Sequence, residues 1–194
     1  MTSYKALKET EALPGQFVTI IGAAGGLGHL AIQYAKAMGL RVIAMDVGAK
    51  KIQFCKSLGA EFAVDASAPN AADQVKEITD GGSHGVVVFA THPSAFQSAI
   101  SMCRPRGTIA CVGLPAGTFA CPIVDVVLNR ITIRGSIVGT RQDAKEAVGF
   151  ASRGLIHCSV ETDTLENINS VFARLRNGEV EGRVVLNIID ENQK

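Results

Sequence analysis

A doubly wound α/β fold, one six-stranded parallel sheet with helices on both faces, is predicted by three observations. Segments of strand character and segments of helical periodicity alternate from Phe17 to Gly135, the order that parallel strands joined by right-handed crossovers require. The run Gly85-Val-Val-Val-Phe-Ala90 is apolar almost throughout, as expected of a central strand buried on both faces. The apolar run Phe17 to Ile21 passes through Gly22-Ala-Ala-Gly-Gly-Leu-Gly28 into a helical pattern, the strand, glycine turn and helix of a nucleotide-binding βα unit.

The elements follow in order. Ser3 to Leu13 reads as a lead-in helix stopped by Pro14-Gly15, and Phe17 to Ile21 is the first strand. Leu27, Leu30, Ala31, Tyr34, Ala35 and Met38 recur at spacings of three and four, one stripe of a crossover helix that Gly39 ends. Val42 to Asp46 is the second strand, and a helix over Lys50 to Leu58 closes at Gly59. Strand Phe62 to Val64, a polar helix near Ala71 to Ile78 and the turn Asp80-Gly81-Gly82 lead to the fourth strand, Gly85 to Ala90. Ser94 to Met102 is helical, and Thr108 to Gly113 and Ile131 to Gly135 are the last two strands of the sheet. Helices Gln142 to Arg153 and Leu165 to Arg176 and a strand, Arg183 to Ile189, complete the chain. This divides it into a lead-in helix over 1–14, a Rossmann domain over 15–162 and a helix-strand extension over 163–194.

Composition narrows the partners. Lys and Arg number 19 and Asp and Glu 18, scattered along the 194 residues, so there is no electrostatic footprint for nucleic acid or an anionic membrane. No apolar run approaches the roughly 18 residues of a membrane span, and the first residues are polar, unlike a secretory signal. The expectation is a cytoplasmic protein with a small organic ligand. The five cysteines, Cys55, Cys103, Cys111, Cys121 and Cys158, lack the short paired spacings of a zinc site and are expected to be reduced and free. His157-Cys158 is a weak metal candidate, because adjacent residues of an extended segment point to opposite sides.

The glycines fit two fingerprints, Ala23-x-Gly25-x-x-Gly28 and Gly22-x-x-x-Gly26-x-Gly28. The second is that of short-chain dehydrogenases, which need a Tyr-x-x-x-Lys pair after the nucleotide half, the lysine lowering the tyrosine pKa for proton exchange. Only Tyr4 and Tyr34 are present: Tyr4 has Lys8 at the right spacing but precedes the first strand, and Tyr34 has Met38 there. Asp46 ends the second strand at the distance where an acidic residue meets the adenosine ribose, which predicts NAD: a carboxylate accepts from a free 2′-hydroxyl and repels a 2′-phosphate. Val112-Gly-Leu-Pro-Ala116 and Gly135-Ser-Ile-Val-Gly139 end the fifth and sixth strands at the crevice where ligands of such sheets bind.

Several blocks in one order then resemble the fungal zinc-containing alcohol dehydrogenases of the medium-chain superfamily. They are Tyr4-Lys-Ala-Leu-Lys8, the glycine turn, Tyr34-Ala-Lys-Ala-Met-Gly39, Thr79-Asp-Gly-Gly82 with His84-Gly-Val86, Pro115-Ala-Gly117, Gly135-Ser136 with Val138-Gly139 and Arg141, Arg153-Gly-Leu155 and Gly182-Arg183. The resemblance implies that Gly25, Gly26, Leu27 and Gly28 meet the pyrophosphate of NAD, Asp46 and Lys51 the ribose, Val112, Leu114 and Val138 the nicotinamide, and Arg183 the pyrophosphate. Ala90-Thr91-His92-Pro93 departs from the Ser or Val these enzymes often carry after the fourth strand. It implies an alcohol or aldehyde substrate, hydride transfer with NAD, and zinc held by an N-terminal catalytic domain, the part of these enzymes that precedes the matched blocks. None of the five cysteines falls at a zinc-ligand position, so no metal ligand and no catalytic residue is assigned to this chain. The strand from Arg183 is expected to pair within the catalytic domain, and Ile131 to Gly135 is expected to join two copies into a homo-oligomer. Two alternatives stand beside this reading: a non-catalytic NAD-binding or dimerising module, and a zinc-independent medium-chain reductase of enones or quinones.

Overall fold

A computed structural model describes residues 1–188. Helix α1 (Thr2–Glu9) precedes strand β1 (Phe17–Ile21), which alternates with its successors as α2 (Gly28–Ala37), β2 (Arg41–Asp46), α3 (Ala49–Ser57) and β3 (Phe62–Asp65). The second half repeats the pattern as α4 (Ala71–Thr79), β4 (Ser83–Val88), α5 (Pro93–Met102), β5 (Cys103–Cys111), α6 (Ile123–Asn129), β6 (Thr132–Gly135) and α7 (Arg141–Ala151). Strand β7 (Val160–Thr164), α8 (Ile168–Arg176) and β8 (Arg183–Asn187) follow.

All six strands of the main sheet are parallel and lie in the order β3-β2-β1-β4-β5-β6. The chain therefore reverses its direction of travel between β1 and β4, which opens a crevice at their carboxyl ends. Alternate residues of each strand feed two cores. Val18, Ile20, Val42, Ala44, Val87 and Ala110 pack with Leu7, Ala31, Ile32 and Tyr34 on one face. Ile21, Ile43, Met45, Val86, Val88 and Ile109 pack with Val75, Phe96 and Ile100 on the other. Between β1 and β4 the hydroxyls of buried Thr19 and Ser83 satisfy each other at 2.7 Å.

Four elements differ from the sequence reading. Helix α1 ends at Glu9, well before Pro14, because the Thr10 hydroxyl donates to the Leu7 carbonyl and Glu11 turns left-handed at φ 57°. Strand β5 starts at Cys103, across an irregularity in its register with β4 between Ser83 and Gly85. Helix α6 has no strand or helix signal: Ile-Val-Asp-Val-Val-Leu-Asn is short and β-branched, and none of its side chains is buried. Strand β7 (Val-Glu-Thr-Asp-Thr) has no apolar alternation, yet it pairs in parallel with β8, Val160 opposite Arg183 and Thr164 opposite Asn187. The strand that was expected to find partners only in another domain thus has one within the chain; the last residue of that expectation, Ile189, lies outside the described residues.

Tyr4 and Lys8 cross-link helices. The Tyr4 hydroxyl donates to Glu146 at 2.7 Å, and the Lys8 ammonium donates to Asp143 at 2.9 Å and Glu146 at 2.8 Å, tying α1 to α7. The pair at short-chain spacing is structural. Hydrogen bonds from Lys8, Gln142 and Tyr4 hold Glu146 down to about 2, and those from Thr140 and Lys8 hold Asp143 well below the usual carboxylate range. Because the folded values are depressed, the tie is complete above the ordinary carboxylate value of about 4.5 and is lost as pH falls toward about 2. Tyr4 and Tyr34, the chain's two tyrosines, lie 5.6 Å apart at this junction, and there is no tryptophan. Tyrosine near-ultraviolet circular dichroism should accordingly persist at pH 5 and disappear between about pH 4.5 and 2, with Lys8→Met moving the loss to higher pH; an unmoved midpoint contradicts the tie.

Candidate nucleotide site

The glycine turn is built by hydrogen bonds to the end of β2. The amides of Gly22 and Ala23 both donate to the Met45 carbonyl, at 2.9 and 3.0 Å, and the Ala24 amide donates to Oδ2 of Asp46 at 2.9 Å. The other oxygen of Asp46 accepts from the Val47 amide at 2.9 Å and from Lys51 Nζ at 3.1 Å, so the carboxylate joins β2, the turn and the start of α3. Gly22 is left-handed at φ 80°, and a side chain there would stand 2.8 Å from the Ala90 nitrogen. A side chain at Gly28 would stand 2.2 Å from the Gly22 carbonyl oxygen. Gly25 is open, its nearest neighbour 3.5 Å away. Glycine is thus demanded at positions 22 and 28 by packing, and the space at 25 faces outward.

Among the described residues the Gly26 and Leu27 amides, at the N-terminal end of α2, have no hydrogen-bond partner. They are free donors at the positive end of a helix. Arg183 adds a full charge from the C-terminal segment: a side chain at Gly26 would stand 2.7 Å from the guanidinium carbon. That segment is pinned to the turn by Gly182, whose amide donates to the Ala24 carbonyl at 2.9 Å. Lys50 of α3 pairs with Glu181 at 3.4 Å from the other side.

Beside Asp46 lies a cavity of about 380 Å³ lined by Gly22, Val47, Ala66, Pro69, Ala90 and His92, among others. His92, in the departure noted above, caps α5: its ring nitrogen accepts from the Ser94 amide at 3.3 Å.

Gly25, Gly26, Leu27, Gly28, Asp46, Lys51 and Arg183 therefore gather at one turn. Val112, Leu114 and Val138 stand on the same rim of the sheet but on the loops after β5 and β6. Val112 is half-buried and donates its amide to Val88, whereas Leu114 is 85% and Val138 49% exposed. Val138 also holds φ at 45°, unusual for a β-branched residue. His29 adjoins the glycine turn in sequence but is given no role by it. It is fully buried directly behind the turn, and that burial has no signal in spacing or composition. Among the described residues no group of three or more His, Cys, Asp or Glu side chains is placed to hold a metal. Burial pushes the thiols of Cys55 and Cys103 up to about 12, so both are inert packing residues.

Strand order, glycine turn and acidic strand end define a Rossmann-type α/β domain. The pattern of the zinc-binding dehydrogenases matches residues 26–153, and the chain belongs to that family. An alcohol dehydrogenase of Rhizobium meliloti is 50% identical over 188 residues, 97% of this chain and 55% of the relative; one of Neurospora crassa is 45% identical over 190 residues, 96% and 54%. The chain thus spans about half the length of the curated relatives it matches. The crystal structure of the alcohol dehydrogenase of Aeropyrum pernix superposes with a TM-score of 0.90 at 34% identity, over 96% of this chain and 55% of that one. An acetophenone reductase of Geotrichum candidum, solved in complex with NAD, does so at 0.82 and 27%, over 98% and 53%.

The packing at Gly28 has a direct consequence. Gly28→Ala should cost about 1 to 3 kcal/mol in urea denaturation, the range for overpacking a tight contact, whereas Gly149→Ala on α7, with nothing within 4 Å, should be neutral or stabilising. Equal effects at the two positions contradict the steric account.

Proposed function

We propose that the chain is the NAD-binding portion of an NAD-dependent alcohol dehydrogenase. The observation that carries this reading is the joint placement of the Asp46 carboxylate, two free helix N-terminal amides and the Arg183 guanidinium around one glycine turn. An anionic pyrophosphate suits the amides and the guanidinium, and ribose hydroxyls suit Asp46. Gly25, Gly26, Leu27 and Gly28 form the pyrophosphate bed, with the missing side chains giving close backbone approach. Lys51 holds Asp46 in place and adds a donor toward the ribose. The cavity beside Asp46 has apolar walls for the adenine ring. Val112, Leu114 and Val138 are assigned to the nicotinamide side, where their exposure leaves apolar surface for a ring to cover.

The nicotinamide supplies the hydride-accepting chemistry when bound; the chain's residues bind and orient it. Zinc does not fit the described residues, which offer no donor set, and no step is assigned to it. The alcohol or aldehyde substrate and a cytoplasmic location belong to the same reading.

A second reading, a nucleotide-binding module that associates with a further copy, is favoured by the apolar outer face of α6. Ile123, Val124, Val127 and Leu128 are each at least 64% exposed, beside the edge strand β6 and its Ile133. Residues of that kind are costly to leave in water. Both readings give a homo-oligomer through the Ile131 to Gly135 edge, so sedimentation velocity at micromolar concentration should show a dimer or larger species; a clean monomer excludes it. NADH formation from an alcohol and NAD by the pure chain with added zinc would defeat the non-catalytic reading.

Calorimetric titration tests the cofactor. NADH should bind much more tightly than NADPH, and Asp46→Ala should weaken NADH by about 1 to 3 kcal/mol through the lost charged acceptor. Equal affinity for the two cofactors, or an unchanged affinity in the variant, contradicts the placement of the ribose.

A further inference from the structure

His29 is fully buried at the second position of α2, and both of its ring nitrogens are engaged. Nδ1 lies 2.9 Å from the Gly25 carbonyl oxygen, which also accepts the His29 backbone amide at 3.0 Å. Nε2 accepts the Ser159 amide at 3.2 Å. The pair of contacts assigns the neutral tautomer: Nδ1 carries the proton and Nε2 the lone pair. Ser159 in turn accepts the Arg183 amide at 2.9 Å, and Gly182 donates to Ala24. Gly182 is left-handed at φ 66°, with the Ser159 carbonyl oxygen only 2.4 Å from where a side chain would begin. The contacts form a closed circuit: glycine turn, His29, Ser159, Arg183, and back over Gly26.

We propose that His29 is a positioning residue for the cofactor, its neutral ring locking the pyrophosphate turn to the C-terminal strand pair and its protonation releasing Arg183 from the turn. This rests on the NAD-binding reading given above. A second proton on the ring would sit on Nε2 and face the Ser159 N–H, donor against donor with no acceptor between them. The groups facing the ring are the Gly25 carbonyl from the turn, the Ser159 amide from the segment before β7, the Arg183 guanidinium from β8 and the Phe54 ring from α3, its centroid 6.5 Å away. Arg183 is the one charge among them, and it is a cation. Burial holds the His29 pKa below the ordinary 6.5; the Gly25 hydrogen bond opposes this, and Arg183 lowers it further. Since the folded value is the lower one, the lock is complete above about pH 6.5 and is lost as pH falls through the folded value.

The test is an NADH fluorescence titration of the full chain between about pH 8 and pH 5, where the ordinary histidine range is crossed. Wild type should hold its affinity near pH 8 and lose up to about tenfold per pH unit once His29 protonates. His29→Gln, whose amide oxygen supplies a non-titrating acceptor for Ser159, should bind nearly as well near pH 8 and show a flat profile. His92→Gln, whatever its own affinity, should keep the wild-type slope. A flat wild-type profile, or a slope that survives in His29→Gln, overturns the proposal. Amide hydrogen exchange in the absence of cofactor separates this from the NAD reading. Protection of Ser159 and Gly182 should fall with pH in wild type and stay constant in His29→Gln; pH-independent protection overturns the lock. Absence of NADH binding alongside pH-dependent protection would remove the cofactor reading and leave the lock standing.

Discussion

The carboxylate of Asp46 is the constraint on which the rest of the site depends. It stands at the last residue of β2, 8% exposed, and takes hydrogen bonds from the turn through Ala24, from its own loop through Val47 and from α3 through Lys51. A buried carboxylate without such donors would be costly, and with them it fixes three chain segments in one place. An ionised carboxylate offers about four acceptor positions, so these three contacts leave about one for a ligand. In the proposed reading, recognition of a ribose would use a group already oriented by the fold, at the cost of little further ordering.

The C-terminal segment completes what Asp46 begins. The strand order alone gives a crevice between β1 and β4, open on the side of the glycine turn. Gly182 and Arg183 close that side by bonding to Ala24 and Ser159, which brings a guanidinium over an otherwise uncharged bed. The bed then has the two components that anion binding asks for, fixed dipoles and a cation, from parts of the chain more than 150 residues apart in sequence. The same arrangement explains why the extension has no large core of its own. Strand β8 alternates half-buried and exposed residues, and its ties are to the turn and to β7.

Most of the sheet was legible because parallel strands write themselves as apolar runs and their crossover helices as stripes. Phe17 to Ile21 and the stripe from Leu27 to Met38 needed no tertiary information. The place of Asp46 at the end of β2 was legible because a strand end is a local feature. Helix α6 was illegible for the opposite reason. Of its apolar residues only Val126 packs against the core while Ile123, Val124, Val127 and Leu128 face outward, so the usual relation between apolar spacing and burial fails there. Strand β7 was hidden because all but one of its residues are exposed and its partner lies about twenty residues onward. His29 could be placed next to the glycine turn from sequence, but its partner Ser159 lies 130 positions away and only the fold brings them together. The proposed role of Arg183 came from resemblance alone; the structure brings its guanidinium over Gly26, a nearness that no local pattern in the sequence signals.

In the proposed reading one carboxylate, that of Asp46, serves the architecture and the ligand at once. A crystal structure of the chain grown with NADH tests it most directly. Adenosine ribose hydroxyls are expected on Asp46 with the Ala24 contact kept, and pyrophosphate oxygens on the Gly26 and Leu27 amides beneath Arg183. A cofactor whose ribose leaves Asp46 untouched, or whose pyrophosphate lies away from the glycine turn, would contradict it.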